Sequence, residues 1–304
     1  METLSAQLAA RGYRGRIVAI HRLHDLREDI EEHRRQGRLD EELYQEHMSG
    51  LSFCPPDSLP EAQSIIVVAV PQPRVRFTFT WHGQSLPLVV PPTYLHGREA
   101  DQHIQNLLGD ILNPQGYHVA PAVLPEKLLA SRSGLGVYGR NNLCYVPGLG
   151  SFHRPVALYS DVPCLVDPWR DLEVLERCQA CAACQSSCPT GAIAAERFLL
   201  RAERCLTFHN ERSTDVPFPQ WLDPAWHNCL VGCLCCQRVC PENRDVWPWV
   251  VEGGTFREEE TALLWEGVPL DQLPPAMVQK LTQSDLVDLL EVLPRNLGAF
   301  LDVA

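Results

Sequence analysis

The chain has 304 residues, 45% of them apolar and 21% charged, with a formal net charge of −12. That much apolar residue can bury one sizeable core and a smaller appendage, which favours two domains over one. No apolar run reaches the roughly 18 residues a membrane-spanning helix requires, and the acidic balance argues against a general phosphate-binding surface, which needs clustered Lys and Arg.

In chain order, METLSAQLAARGYRGR lacks the apolar core and cleavage site of a secretory signal and reads as an amphipathic first helix. Residues 25–48 alternate charge signs at helical spacing and predict a solvated helical face laced with ion pairs. Cys54-Pro55-Pro56 marks a loop. Ser64–Val70 is short, β-branched and ended by Pro71, the pattern of a fully buried strand. Val75–Trp81 and Leu86–Val90 flank His82-Gly83-Gln84-Ser85 as a hairpin. A helix over 98–112 carries Ile104, Leu107, Leu108 and Ile111 on one face and ends at Asn113-Pro114.

A further helix, Glu126–Ser133, runs into Gly134-Leu135-Gly136-Val137-Tyr138-Gly139. The glycine spacing is that of a dinucleotide fingerprint, but the fingerprint must follow a strand and open a helix. Here it follows a helix and precedes a strand over Leu143–Val146, so Gly134 reads as a helix cap. Another strand is expected at Val156–Tyr159, and helices are expected around 258–265 and 284–293. The resulting division is an α/β layer domain over 1–164, a cysteine-rich module over 165–250 and a helical tail over 251–304.

Thirteen cysteines without an export signal point away from a disulfide framework. All but Cys54, Cys144 and Cys164 crowd between Cys178 and Cys240. Cys178-x2-Cys181-x2-Cys184-x3-Cys188-Pro189 is the spacing with which three thiolates wrap one cubane corner set while the fourth crosses to a second cluster. Zinc sites show separate C-x2-C pairs instead. The partner run, Cys233-x2-Cys236-x3-Cys240-Pro241, lacks its leading cysteine because Leu230 stands there. By the crossing rule one 4Fe–4S cluster takes Cys178, Cys181, Cys184 and Cys240. The other takes Cys188, Cys233, Cys236 and a distant thiolate, either Cys205 or Cys229. Cys235 reads as a bystander. Two clusters make the protein a redox device of a reducing, cytoplasmic compartment.

Several blocks resemble epoxyqueuosine reductases: Ser64–Val70; Glu126–Asn142 with Gly134-Leu135-Gly136-x-x-Gly139-Arg140-Asn141; Gly150-Ser151-Phe152; Arg204-Cys205-Leu206-Thr207; and Gly232-Cys233-x-x-Cys236-Gln237-x-Val239-Cys240-Pro241-x-Asn243. The resemblance implies a nitroreductase-like, corrinoid-binding domain followed by a two-cluster bacterial ferredoxin-like module, a plan that reductive dehalogenases share. It also implies Cys205 as the fourth thiolate of the second cluster. It further implies that Gly136, Tyr138, Gly139, Arg140, Asn141 and Ser151 meet cobalamin, and that Thr207 and His209 lie between cluster and corrin. The sequence departs from the family where a general-acid aspartate is expected six residues before Glu126, because Ala120 stands there. Losing a positioned acid costs about 10²–10⁴ in rate. Tyr138 is the one nearby candidate to replace it.

The function expected from these residues is corrinoid-dependent reduction of a small molecule, with an external donor of ferredoxin or flavodoxin type filling the clusters. Two alternatives are an activator that reduces the cobalt of a corrinoid protein partner, and epoxyqueuosine reduction on tRNA. The acidic charge and the missing acid make tRNA the unexpected substrate.

Overall fold

The computed structural model describes residues 4–301. In chain order they begin with α1 (Leu4–Ala9), β1 (Arg14–Ala19), α2 (Arg22–Arg35), α3 (Glu41–His47), β2 (Ser64–Pro71), β3 (Arg74–Trp81) and β4 (Gln84–Val90). Then come α4 (Gly97–Leu112), β5 (Val119–Pro121), α5 (Glu126–Arg132), β6 (Val137–Tyr138), β7 (Cys144–Tyr145) and β8 (His153–Ser160). The cysteine region contributes only short helices, α6 (Ala183–Ser187), α7 (Leu206–Glu211) and α8 (Cys235–Arg238), before β9 (Val250–Phe256), α9 (Glu258–Trp265), α10 (Pro275–Gln283) and α11 (Leu293–Leu301). No helix among the described residues is long and apolar enough to cross a membrane.

Packing divides these elements into two units that do not follow the chain in blocks. The first takes residues up to Gln72 with Gly97–Ala182 and Ala195–Leu200; the second takes Pro73–His96, Ala183–Ala194 and the chain from Arg201 onward.

In the first unit an antiparallel sheet runs β1-β2-β8-β5. One face carries Ile65, Val67, Ala157 and Tyr159 against Leu26 of α2 and Leu128 and Leu129 of α5. The other carries Ile66, Val68, Val156 and Leu158 against Ile104, Leu108 and Ile111 of α4. Covering both faces removes the need for polar alternation, which is why β2 reads as one apolar run. The charged segment 25–48 is helical and carries the expected ion pairs, Arg27–Glu31 at 2.8 Å and Arg35–Glu32 at 2.6 Å among them, on two helices. Gly37 adopts a left-handed φ of 62° after α2, and Asp40 caps α3 by accepting the Leu43 N–H at 3.0 Å. The N-terminal segment is likewise not a single helix: α1 gives way to β1, whose partner β2 lies far along the chain. The strand expected at Leu143–Val146 is only β7, paired with β6.

In the second unit the sheet order is β4-β3-β9, with β3 and β9 parallel. His82 and Gly83, both left-handed (φ 49° and 73°), form the two-residue turn of the hairpin. Phe77, Phe79 and Phe256 face Leu264, Met277, Leu281, Leu293 and Leu297, and the Phe79 and Phe256 rings stack at 5.0 Å. A Cβ on Gly253 would come within 2.3 Å of the Phe77 ring, so this close approach requires glycine. The helix expected over 284–293 is absent. Asp285 turns left-handed (φ 53°), a single 3-10 turn follows at Val287–Leu289, and the helices lie on either side as α10 and α11. Each of these two has a proline in its first turn, where no N–H is missed.

Candidate metal centre

Within the second unit α6 packs on α8, and the Ser187 hydroxyl donates to the Cys235 carbonyl at 3.1 Å. Cys184 is buried in α6, and the Cys188 sulfur lies 3.6 Å from the Thr190 hydroxyl. Cys205 sits in extended conformation at the start of α7. Burial, together with the sulfurs of Cys233 and Cys188, pushes its thiol up to about 11, while the backbone N–H and hydroxyl of Thr207 donate to its sulfur and oppose the rise. Three of the four cysteines expected at the second cluster are therefore electrostatic neighbours.

Cys229, the rival fourth ligand, is fully buried and donates its S–H to the Asn228 side-chain oxygen at 3.1 Å. Cys233 instead accepts, from the Asn228 amide at 3.3 Å. In the first unit Cys178 lies on a 3-10 turn and accepts the Arg140 backbone N–H at 3.5 Å. Partly buried sulfurs approached by N–H donors suit metal-bound thiolates, which carry negative charge and accept such bonds. The donor set thus fits iron–sulfur chemistry.

Three residues that the spacing of the cysteines does not reveal hold the Cys205 and Cys233 segments in place. Asn210 exchanges two hydrogen bonds with Gly232, at 2.6 and 2.9 Å. Asn296 donates to the carbonyls of Asn210 and Leu230 at 2.8 and 3.1 Å. Arg295 forks onto the carbonyls of His209, Arg212 and Ser213 at 3.0, 2.7 and 3.0 Å, its guanidinium 4.3 Å from the Phe218 ring centre. Burial lowers the Arg295 pKa to about 10. Their positions on and beside α7 and α11 leave no local signature in the sequence.

The residues expected at a corrinoid are engaged elsewhere. Arg140 donates to the Cys178 carbonyl. Asn141 is buried, donating to the Tyr145 hydroxyl at 2.9 Å and accepting the Leu143 N–H at 3.4 Å. A Cβ on Gly136 would meet the Cys144 sulfur at 2.5 Å, and one on Gly139 the Tyr145 ring at 2.5 Å, so both glycines admit the chain's own atoms. Tyr138 packs edge-on against Phe198 at 5.2 Å, and burial pushes its phenol well above the usual range, which makes it a poor acid. Ser151 is buried. Thr207 serves Cys205, and the His209 ring pairs with the Glu203 carbonyl at 2.9 Å. As a side-chain cradle for a corrinoid, this set does not fit.

Ala120 is closed off as well. It sits on β5 opposite Tyr159, 4% exposed, in the core with Leu124 and Leu129. The nearest carboxyl group in sequence is Glu126. Burial raises its carboxyl to about 7, with the Arg154 guanidinium opposing and Asp101 reinforcing the rise. Both carboxylate oxygens of Asp101 are already bonded to Arg154, at 2.7 and 2.8 Å.

Residues 177–243 match the 4Fe-4S double cluster binding domain. The epoxyqueuosine reductase of Escherichia coli is 36% identical over 126 residues, which is 41% of this chain and 32% of the relative. Over that region the chain is similar to epoxyqueuosine reductases. Its aligned region spans about a third of the length of the first such relatives. The Bacillus subtilis epoxyqueuosine reductase structure superposes with a TM-score of 0.62 over 95% of this chain and 77% of its own, at 22% identity. An epoxyqueuosine reductase bound to a modified tRNA-Tyr stem loop gives 0.54 over 76% of this chain and 61% of its own, also at 22%. The likeness in structure establishes the shared mixed α/β fold with its helical C-terminal portion.

Proposed function

We propose that the protein is an iron–sulfur oxidoreductase of the epoxyqueuosine reductase type. It would hold one 4Fe–4S cluster on Cys178, Cys181, Cys184 and Cys240, and another on Cys188, Cys205, Cys233 and Cys236. The observation that carries the reading is the Cys205 sulfur, which neighbours those of Cys188 and Cys233 and receives donors from Thr207. Clusters at these positions supply one-electron transfer. The chain's own part is to aim N–H groups at the sulfurs and to pin the two segments through Asn210, Arg295 and Asn296. Electrons enter from an external donor of ferredoxin or flavodoxin type.

The relatives' names favour epoxyqueuosine as the substrate, and one structural neighbour is bound to an epoxyqueuosine-modified tRNA stem loop. The packed Ala120 favours a second reading, in which the acceptor takes no proton from this strand, as a small molecule or a corrinoid protein partner would allow. Cobalamin belongs to the proposal through the resemblance alone, and no step is assigned to it.

Anaerobic reconstitution tests the core of this reading: about eight irons per chain are expected, and about four would overturn it. The reconstituted, reduced protein is then offered an epoxyqueuosine-modified tRNA stem loop, with and without cobalamin. Queuosine detected by mass spectrometry supports the tRNA reading. Reducible clusters without product support the second.

A further inference from the structure

The Asn228 side chain meets five partners in the cysteine region. Its oxygen accepts the Leu234 backbone N–H at 2.8 Å and the Cys229 thiol at 3.1 Å. Its nitrogen lies 3.3 Å from the Cys233 sulfur, 3.2 Å from the Cys235 sulfur and 3.0 Å from the Trp226 carbonyl. A backbone N–H can only donate, so Leu234 fixes which end of the amide is oxygen and turns the NH2 toward the sulfurs. That NH2 has two hydrogens and three acceptors, so Cys233 and Cys235 compete for it.

We infer that Asn228 sets the reduction potential of the cluster that Cys233 ligates, and that the non-ligand thiol of Cys235 tempers this effect by sharing the same amide. The inference rests on the cluster assignment above. Gaining one electron makes a cluster and its thiolates more negative, and an N–H directed at a ligand sulfur stabilises that reduced state. The amide therefore raises the potential, and any second acceptor that draws its hydrogens away lowers it. Because Asn228 approaches Cys233 and none of the cysteines assigned to the other cluster, the effect falls on one cluster alone.

The test is a redox titration of the full-length reconstituted protein, followed by electron paramagnetic resonance, with iron content measured alongside. Asn228→Asp keeps an oxygen for the Leu234 N–H, removes the amide donor and adds a carboxylate charge, and both changes act in the same direction. It is expected to move one of the two midpoints to more negative potential and leave the other unchanged. Cys235→Ala keeps every Asn228 bond but one and is expected to move the same midpoint in the opposite direction. About eight irons with both midpoints unmoved in both variants overturns the role of Asn228, whereas about four irons in the unaltered protein overturns the cluster assignment instead. If Asn228→Asp loses iron, Cys235→Ala decides: an upward shift at one cluster supports the inference, and no shift overturns it.

Discussion

The cysteine segments of the second unit and the Gly134–Asn142 loop of the first both carry motifs, yet they treat their polar groups in opposite ways. Around Cys205 and Cys233 the surrounding groups point at the sulfurs: Thr207 at one and Asn228 at the other. In the loop the motif side chains bind the chain itself, with Arg140 on the Cys178 carbonyl, Asn141 on Tyr145 and the two glycines against Cys144 and Tyr145, and only the Arg140 backbone N–H meets a sulfur. A motif indicates a ligand site when its neighbours complement the expected charge. Where its neighbours saturate it, the same motif is architecture.

The largest expected effect tests the first half of that contrast. Cys205→Ser should remove one cluster, halving the iron, whereas Cys229→Ser should keep both, because Cys229 already gives its proton to Asn228. Equal iron loss in the two variants would erase the distinction between ligand and bystander. Next comes Ala120→Asp, which restores the family's acid. Because Ala120 is packed among Leu124, Leu129 and Tyr159, the buried carboxyl should cost on the order of 3–5 kcal/mol. Denaturant unfolding measures it, and a variant as stable as the parent would mean that this face is open.

Arg295→Ala should destabilise the second unit by about 3 kcal/mol, since three carbonyls beside the Cys205 segment lose their donor. Arg295→Lys should recover little, because an ammonium lacks the planar fork. Thermal unfolding of the reconstituted protein reads both. The smallest effect concerns Glu126, whose carboxyl is raised to about 7 by burial. The folded chain then holds a proton that the unfolded chain releases above the usual glutamate range. Stability is expected to fall as pH rises from about 4.3 to 7, by at most about 4 kcal/mol. Glu126→Gln should flatten that slope, and an unchanged slope in urea titrations across this window would place the carboxyl in solvent.

Elements whose pattern is local were legible in the sequence. β2 showed because burial on both faces leaves an uninterrupted apolar run, and α4 showed through its helical apolar face. The hairpin was marked by His82-Gly83. β1 and β9 were not legible. Gly15 interrupts one and Gly253-Gly254 the other, and both strands are held by partners far away in sequence. The helix over 284–293 failed for a related reason: apolar spacing continues across Asp285, where the backbone turns left-handed.

At the site, the sequence alone determined the cluster chemistry, because thiolate spacing of two and three residues is a local property of the chain and few other metals accept it. It also narrowed the distant ligand to Cys205 or Cys229. Tertiary structure gave those two thiols different partners, Thr207 for Cys205 and the Asn228 oxygen for Cys229. It placed Asn228 among three cysteines, and it assigned Arg295 and Asn296 to securing the segments. It also closed the core over Ala120. A hydrogen bond depends on where a group's neighbours stand in space, and nothing in the order of residues states whether Arg140 reaches outward or back to Cys178.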